Sequence, residues 1–126
     1  LLGWQDASER AEALRRQWFS ETGGQMPVIL VDNWHYAGPL AWYGHPTELR
    51  YFEEGDSQYR LWFGTLEPDT RGILVLFDEK NRVPGFSHPG YTCAQVDKLP
   101  AYRGEVITRM FYFFRCEPVV GSASAT

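Results

Sequence analysis

Val28-Ile29-Leu30-Val31, closed by Asp32-Asn33, is the stretch on which the reading of the fold turns. Four consecutive apolar residues are too few for a helix, and their lack of alternation leaves no polar face for solvent. The run therefore predicts a central strand buried on both sides, the pattern of a parallel sheet. Upstream, from Asp6 to Thr22, Ala7, Ala11, Leu14, Trp18 and Phe19 recur at spacings of mostly three and four. That period predicts an amphipathic helix. Asp6 and Glu9 fit a capping box at its start, and Gly23-Gly24 stop it.

Downstream, Ala37, Leu40, Ala41 and Tyr43 suggest a short helix with Pro39 in its first turn or at a kink, closed by Gly44-His45-Pro46. Leu49-Arg50-Tyr51-Phe52 reads as a second strand, so a strand–helix–strand unit with a right-handed crossover is expected. After the turn Glu53-Glu54-Gly55-Asp56-Ser57, residues Tyr59, Leu61, Trp62 and Phe63 supply the apolar face of another short helix. Ile73-Leu74-Val75-Leu76-Phe77 forms the third strand and ends at Asp78. Strands alternating with helices imply an α/β fold, a Rossmann-like or flavodoxin-like layered sheet with parallel strands in its N-terminal part.

The rest changes character. Pro84-Gly85 and Pro89-Gly90 mark a long loop over Glu79–Tyr91, followed by strand-like runs at Tyr91–Leu99 and Glu105–Cys116. Joined through Leu99–Gly104, these runs make an antiparallel hairpin. A register that opposes Cys93 and Cys116 also pairs Gln95 with Phe114, Asp97 with Tyr112 and Leu99 with Met110. Opposed residues lie about 4.5–5.5 Å apart at Cα, a separation that a disulfide accepts. A Cys93–Cys116 bridge is expected, and with it an oxidising compartment. Two buried free thiols are the alternative.

The chain has 126 residues, 44% of them hydrophobic, which suits one domain over residues 1–120 with a flexible tail at 121–126. The absence of an initiator Met and the Gly121–Thr126 run suggest cut or tagged ends. A formal net charge of −4 argues against a nucleic-acid partner. No run approaches the roughly 18 apolar residues of a membrane-spanning helix.

Ligands of open α/β sheets bind beyond the carboxyl ends of the strands, which directs attention to Asp32, Asn33, Trp34, His35, Tyr36, Glu53 and Asp78. Asp32 and His35 can be drawn as an acid–base pair, but a helix N-cap and an exposed first-turn residue explain them more simply. His35, His45 and His88 lack metal-ligand spacing, so no metal site is assigned. The segment from Asp32 to Gly38 lacks the glycine pattern of a dinucleotide site, and neither a nucleophile elbow nor a phosphate-binding Lys loop is present. Among the many rings from Trp34 to Phe63, packing accounts for most. Trp34 and Tyr36, at the strand end, are the candidates for ligand contact.

Asp32-Asn33-Trp34-His35-Tyr36-Ala37-Gly38-Pro39-Leu40-Ala41-Trp42-Tyr43, then His45-Pro46 and Ser57-Gln58-Tyr59-Arg60-Leu61-Trp62, resemble the segment after the membrane region of bacterial family 39 glycosyltransferases, the dolichyl-phosphate-mannose protein mannosyltransferase type. Gly3-Trp4-Gln5-Asp6 before a helix is similar too. The resemblance covers about Gly3 to Phe77. It implies a parent integral inner-membrane protein that moves a sugar from a polyprenyl-phosphate donor to a glycan, lipid or protein acceptor on the periplasmic face. This chain would then be its soluble C-terminal domain, partnered by the transmembrane portion of its own parent chain. The catalytic acids of that family sit in loops between membrane helices, so the resemblance assigns no catalytic residue here and no cofactor to this domain. A free-standing small enzyme or ligand-binding protein using the strand-end crevice is the alternative, and a purely structural domain a third.

Overall fold

The computed structural model describes residues 3–31, 49–51, 70–78 and 90–119. Helix α1 (Trp4–Thr22) leads into β1 (Val28–Val31), and β2 (Leu49–Tyr51), β3 (Gly72–Asp78), β4 (Tyr91–Arg103) and β5 (Val106–Pro118) follow. The strands form one sheet in the order β2-β1-β3-β5-β4. β1 runs parallel to both β2 and β3, with Ile29 opposite Leu49 on one side and Ile73 on the other. β5 is antiparallel to β3 and to β4.

This arrangement corrects the layered Rossmann-like or flavodoxin-like α/β expectation. Strand outweighs helix among the described residues, and the sheet is mixed. The reason lies in the hairpin: β4 and β5 each run for 13 residues, and β5 pairs along all of β3 from Gly72–Cys116 to Asp78–Met110. Moreover α1 precedes every strand, so it covers the sheet without crossing over between two of them. The short helices expected at 37–43 and 59–63, and most of the loop expected at 79–91, lie outside the described residues.

Both sides of the central strands are buried, as the apolar run at residues 28–31 requires. Ile29, Val31, Ile73, Val75, Phe111 and Phe113 face α1 and pack with Trp4, Ala7, Ala11 and Trp18. Val28, Leu30, Leu74, Leu76, Tyr112, Phe114 and Cys116 form a second cluster on the opposite face. The period-2 geometry of strands makes this division, since neighbours along a strand point to opposite sides.

The helix begins earlier than the Asp6/Glu9 capping box suggests. Gly3 is its N-cap in the left-handed region, with no side-chain capping bond, and Asp6 falls in the first turn. Tertiary packing sets this start, because Trp4 is 3% exposed and meets Phe111 edge-on at 5.1 Å between centroids. At the other end the Gly23 N–H donates to Phe19 O at 2.8 Å, as a glycine C-cap should. Arg15, on the buried stripe, donates from Nε to Pro27 O and from Nη1 to Glu12 Oε1 at 2.8 Å.

The hairpin is longer than expected and turns at Gly104 rather than through a Leu99–Gly104 loop. Cys93–Cys116 and Gln95–Phe114 pair as expected. Beyond them Asp97 faces Phe113 rather than Tyr112, and Leu99 faces Phe111 rather than Met110. The cause is a bulge between Gln95 and Asp97, where Val96 is the extra residue. The bulge also changes faces: Tyr91 and Cys93 pack with the second cluster, whereas Leu99 and Ala101, of the same parity, pack under α1. One inserted residue lets a single edge strand serve both cores.

Candidate functional site

The carboxyl ends of β1, β2 and β3 lie at one edge of the sheet because the three strands are parallel. Val31 pairs with Tyr51 there, and β3 runs on to Asp78, opposite Met110. Of the seven expected contact residues, Asp78 is the last residue of β3 and stands at this edge. Asp32, Asn33, Trp34, His35, Tyr36 and Glu53 lie outside the described residues, as do His45 and His88.

Three further features meet at the same end. The direction of α1 relative to β1 puts the start of the helix there, and Gly3 lies so close to Ala101 and Phe111 that an added Cβ would stand 2.6 Å from the Ala101 Cβ. The amino end of β5 and the carboxyl end of β4 are there too, since both are fixed by the β3–β5 and β4–β5 ladders. β5 residues 106–109 extend past the Asp78–Met110 pair, so the hairpin overhangs the edge by roughly 13 Å. Tyr102 and Arg103, expected in the Leu99–Gly104 loop, are strand residues of this overhang. Its signal was available in Tyr102, Val106 and Ile107, apolar residues placed on both sides of a glycine turn.

The opposite end is organised around Trp18. The Arg71 and Arg115 guanidiniums lie 4.7 and 5.3 Å from its ring centroid, a cation–π geometry. The last turn of α1 has no basic residue of its own, and Arg71 supplies the cation from outside the helix. Its Nη2 donates to Gly23 O at 2.6 Å and to Gln25 O at 2.9 Å, while Nη1 donates to Thr22 Oγ1 at 2.7 Å. These bonds satisfy carbonyls just past the helix end, where the helix dipole favours positive charge. Arg115 donates both Nη groups to the two Glu21 carboxylate oxygens at 3.2 Å. The Arg115 hydrogen bond, with its positive charge, holds the Glu21 carboxyl below its ordinary pKa. Every element of this cluster is engaged in joining α1 to the sheet. Its role is structural.

Cys93 and Cys116 are joined in a disulfide across the β4–β5 ladder, with Cα atoms 4.1 Å apart. Cys116 is fully buried, and the bridge ties edge strand β4 to β5 at the end away from the hairpin tip. Among the described residues no three His, Cys, Asp or Glu side chains converge as metal ligands. No helix among them is long and apolar enough to cross a membrane.

Comparisons with protein-family models, curated proteins and solved structures give no match to this chain.

Proposed function

We propose that this chain is an extracytoplasmic domain of an integral membrane glycosyltransferase that uses a polyprenyl-phosphate sugar donor. The observation that carries the reading is the segment Asp32–Tyr43 with its companion Ser57–Trp62, which resembles the post-membrane segment of the family 39 enzymes. The Cys93–Cys116 disulfide agrees with it, because such bridges persist in oxidising compartments such as the periplasm. On this reading the domain is not itself the catalyst. It contributes to acceptor access or docks on its own transmembrane portion, through the edge where β1, β2 and β3 end and the chain continues into Asp32–Tyr36 and Glu53.

The full-length reading frame tests the assignment. About a dozen apolar segments of roughly 20 residues upstream of Leu1 are expected. A frame without such spans would sink it. Alanine at Trp34 or Tyr36 should then lower transfer by the full-length protein while leaving its abundance unchanged. Unaltered transfer in both variants would leave the domain a structural role alone, and turnover by the isolated chain would favour a free-standing enzyme.

A further inference from the structure

Resting on that reading, we propose that the tip of the β4–β5 hairpin is a membrane-interface anchor, seated among the headgroups of an anionic bilayer so that the strand-end edge faces the membrane. Tyr102, Val106 and Ile107 are 52%, 66% and 36% exposed. Tyr102 opposes Ile107 and Arg103 opposes Val106, so the ribbon presents apolar side chains on both of its faces as it reaches the turn. Packing against this domain leaves all three in water.

The placement of the tip indicates what it meets. It overhangs the sheet at the end where α1 begins, and Gly3 packs directly on Ala101, the neighbour of Tyr102. If the membrane portion precedes this domain, the chain enters beside the hairpin, and the tip is held close to the bilayer by its own tether. Such tethering raises the effective concentration of a weak contact without any new interaction.

The chemistry of the tip fits an interface rather than a membrane core. A tyrosine ring has an apolar body and a polar end suited to the headgroup level. Arg103 is an exposed cation at the turn, with a stem able to reach lipid phosphates, in a protein whose net charge is −4. Glu105, at the turn, limits the depth of seating to the headgroup region.

Flotation of the complete chain with vesicles of phosphatidylethanolamine and phosphatidylglycerol tests the proposal, with pure phosphatidylcholine vesicles alongside. The chain should float with the anionic vesicles and less with the neutral ones. Partitioning should fall roughly tenfold for Val106→Ser and to background for Tyr102→Ser/Val106→Ser/Ile107→Ser. Circular dichroism and an intact Cys93–Cys116 bridge would establish that these exposed substitutions leave the fold in place. Absence of flotation, or flotation that the triple variant retains, overturns the proposal. A dimer that the triple variant disperses, without vesicle binding, also overturns it and makes the tip a contact between copies. The outcome is separable from that of the parent assignment. Vesicle binding with no upstream spans would keep the anchor and reject the transferase. Upstream spans without vesicle binding would do the reverse.

Discussion

At the scale of single residues, the tightest constraints sit where backbone meets backbone or a polar atom is buried. Gly3 has φ 87° and no room for a Cβ, with Ala101 Cβ and Phe111 Cε2 at 2.6 and 2.9 Å from where one would stand. Gly3→Ala combines a left-handed backbone with a clash at the helix start, and should cost about 2–4 kcal/mol in urea unfolding. Gly72, in β3, is barred from a side chain by Val28 O at 2.7 Å and Leu30 Cγ at 2.8 Å. Ser8 is the opposite case. It is 1% exposed and its Oγ has no hydrogen-bond partner among the described residues, so it contributes a desolvation cost without a compensating bond. Ser8→Ala should therefore leave stability unchanged or raise it by about 1 kcal/mol. A loss of more than that in the same assay would point to an interaction of the hydroxyl that the packing does not reveal.

Elements show how far local patterns reach. The helix was legible from its period, because Ala7, Ala11 and Trp18 do face the sheet. Its buried Arg15 was not, since the partner at Pro27 O comes from beyond the helix. A register that opposes Cys93 and Cys116 could be drawn from the two runs, and the structure has it, but pairing beyond Gln95 differs, because nothing in the side chains marks Val96 as the residue that the ladder omits. The bulge makes a specific prediction. Deleting Val96 removes the extra residue and leaves Cys93 and Leu99 on their own faces, so the hairpin and disulfide should form. Deleting both Ala94 and Val96 instead places Cys93 one step out of register, opposite Arg115, and free-thiol titration should then find reactive cysteines. The bridge itself closes a span of 23 residues. Replacing both cysteines by alanine should cost about 3 kcal/mol, on the chain-entropy account of cross-links, as measured by the denaturant midpoint.

For the molecule as a whole, α1 is joined to the sheet by an apolar core along its length and by guanidinium contacts at its C-terminal end. Arg71 and Arg115 meet Trp18 there, and Glu21 closes the cluster. The Glu21 carboxyl is held below its ordinary value chiefly by the Arg115 hydrogen bond. A group whose pKa is lowered by folding stabilises the native state above its unfolded pKa. That contribution disappears as pH falls through the folded value. Stability should thus decline on acidification through the carboxylate range, and Glu21→Gln should flatten part of the slope while changing little at the acid end. Denaturant midpoints measured across that range, for the two proteins in parallel, would show it. An unchanged slope would mean that solvent screening leaves this exposed pair without effect.

Near-neighbour physics in the chain was enough to determine the helix, the doubly buried run at residues 28–31 and the order of the strands along the chain, and it allowed a register that opposes the two cysteines. Periodicity and burial act over a few residues, so they are written locally. Which strand β3 would choose as its second neighbour is not a local property. β5 pairs with β3 along its full length, and that choice turns an expected layered α/β sheet into a mixed one dominated by its hairpin. The same choice carries the hairpin tip past the ends of the parallel strands and beside the start of α1. Residues separated by a hundred positions are brought to one end of the sheet in this way, because hydrogen-bonded ladders propagate direction across the whole sheet, whereas side-chain patterns report only the face on which each residue lies.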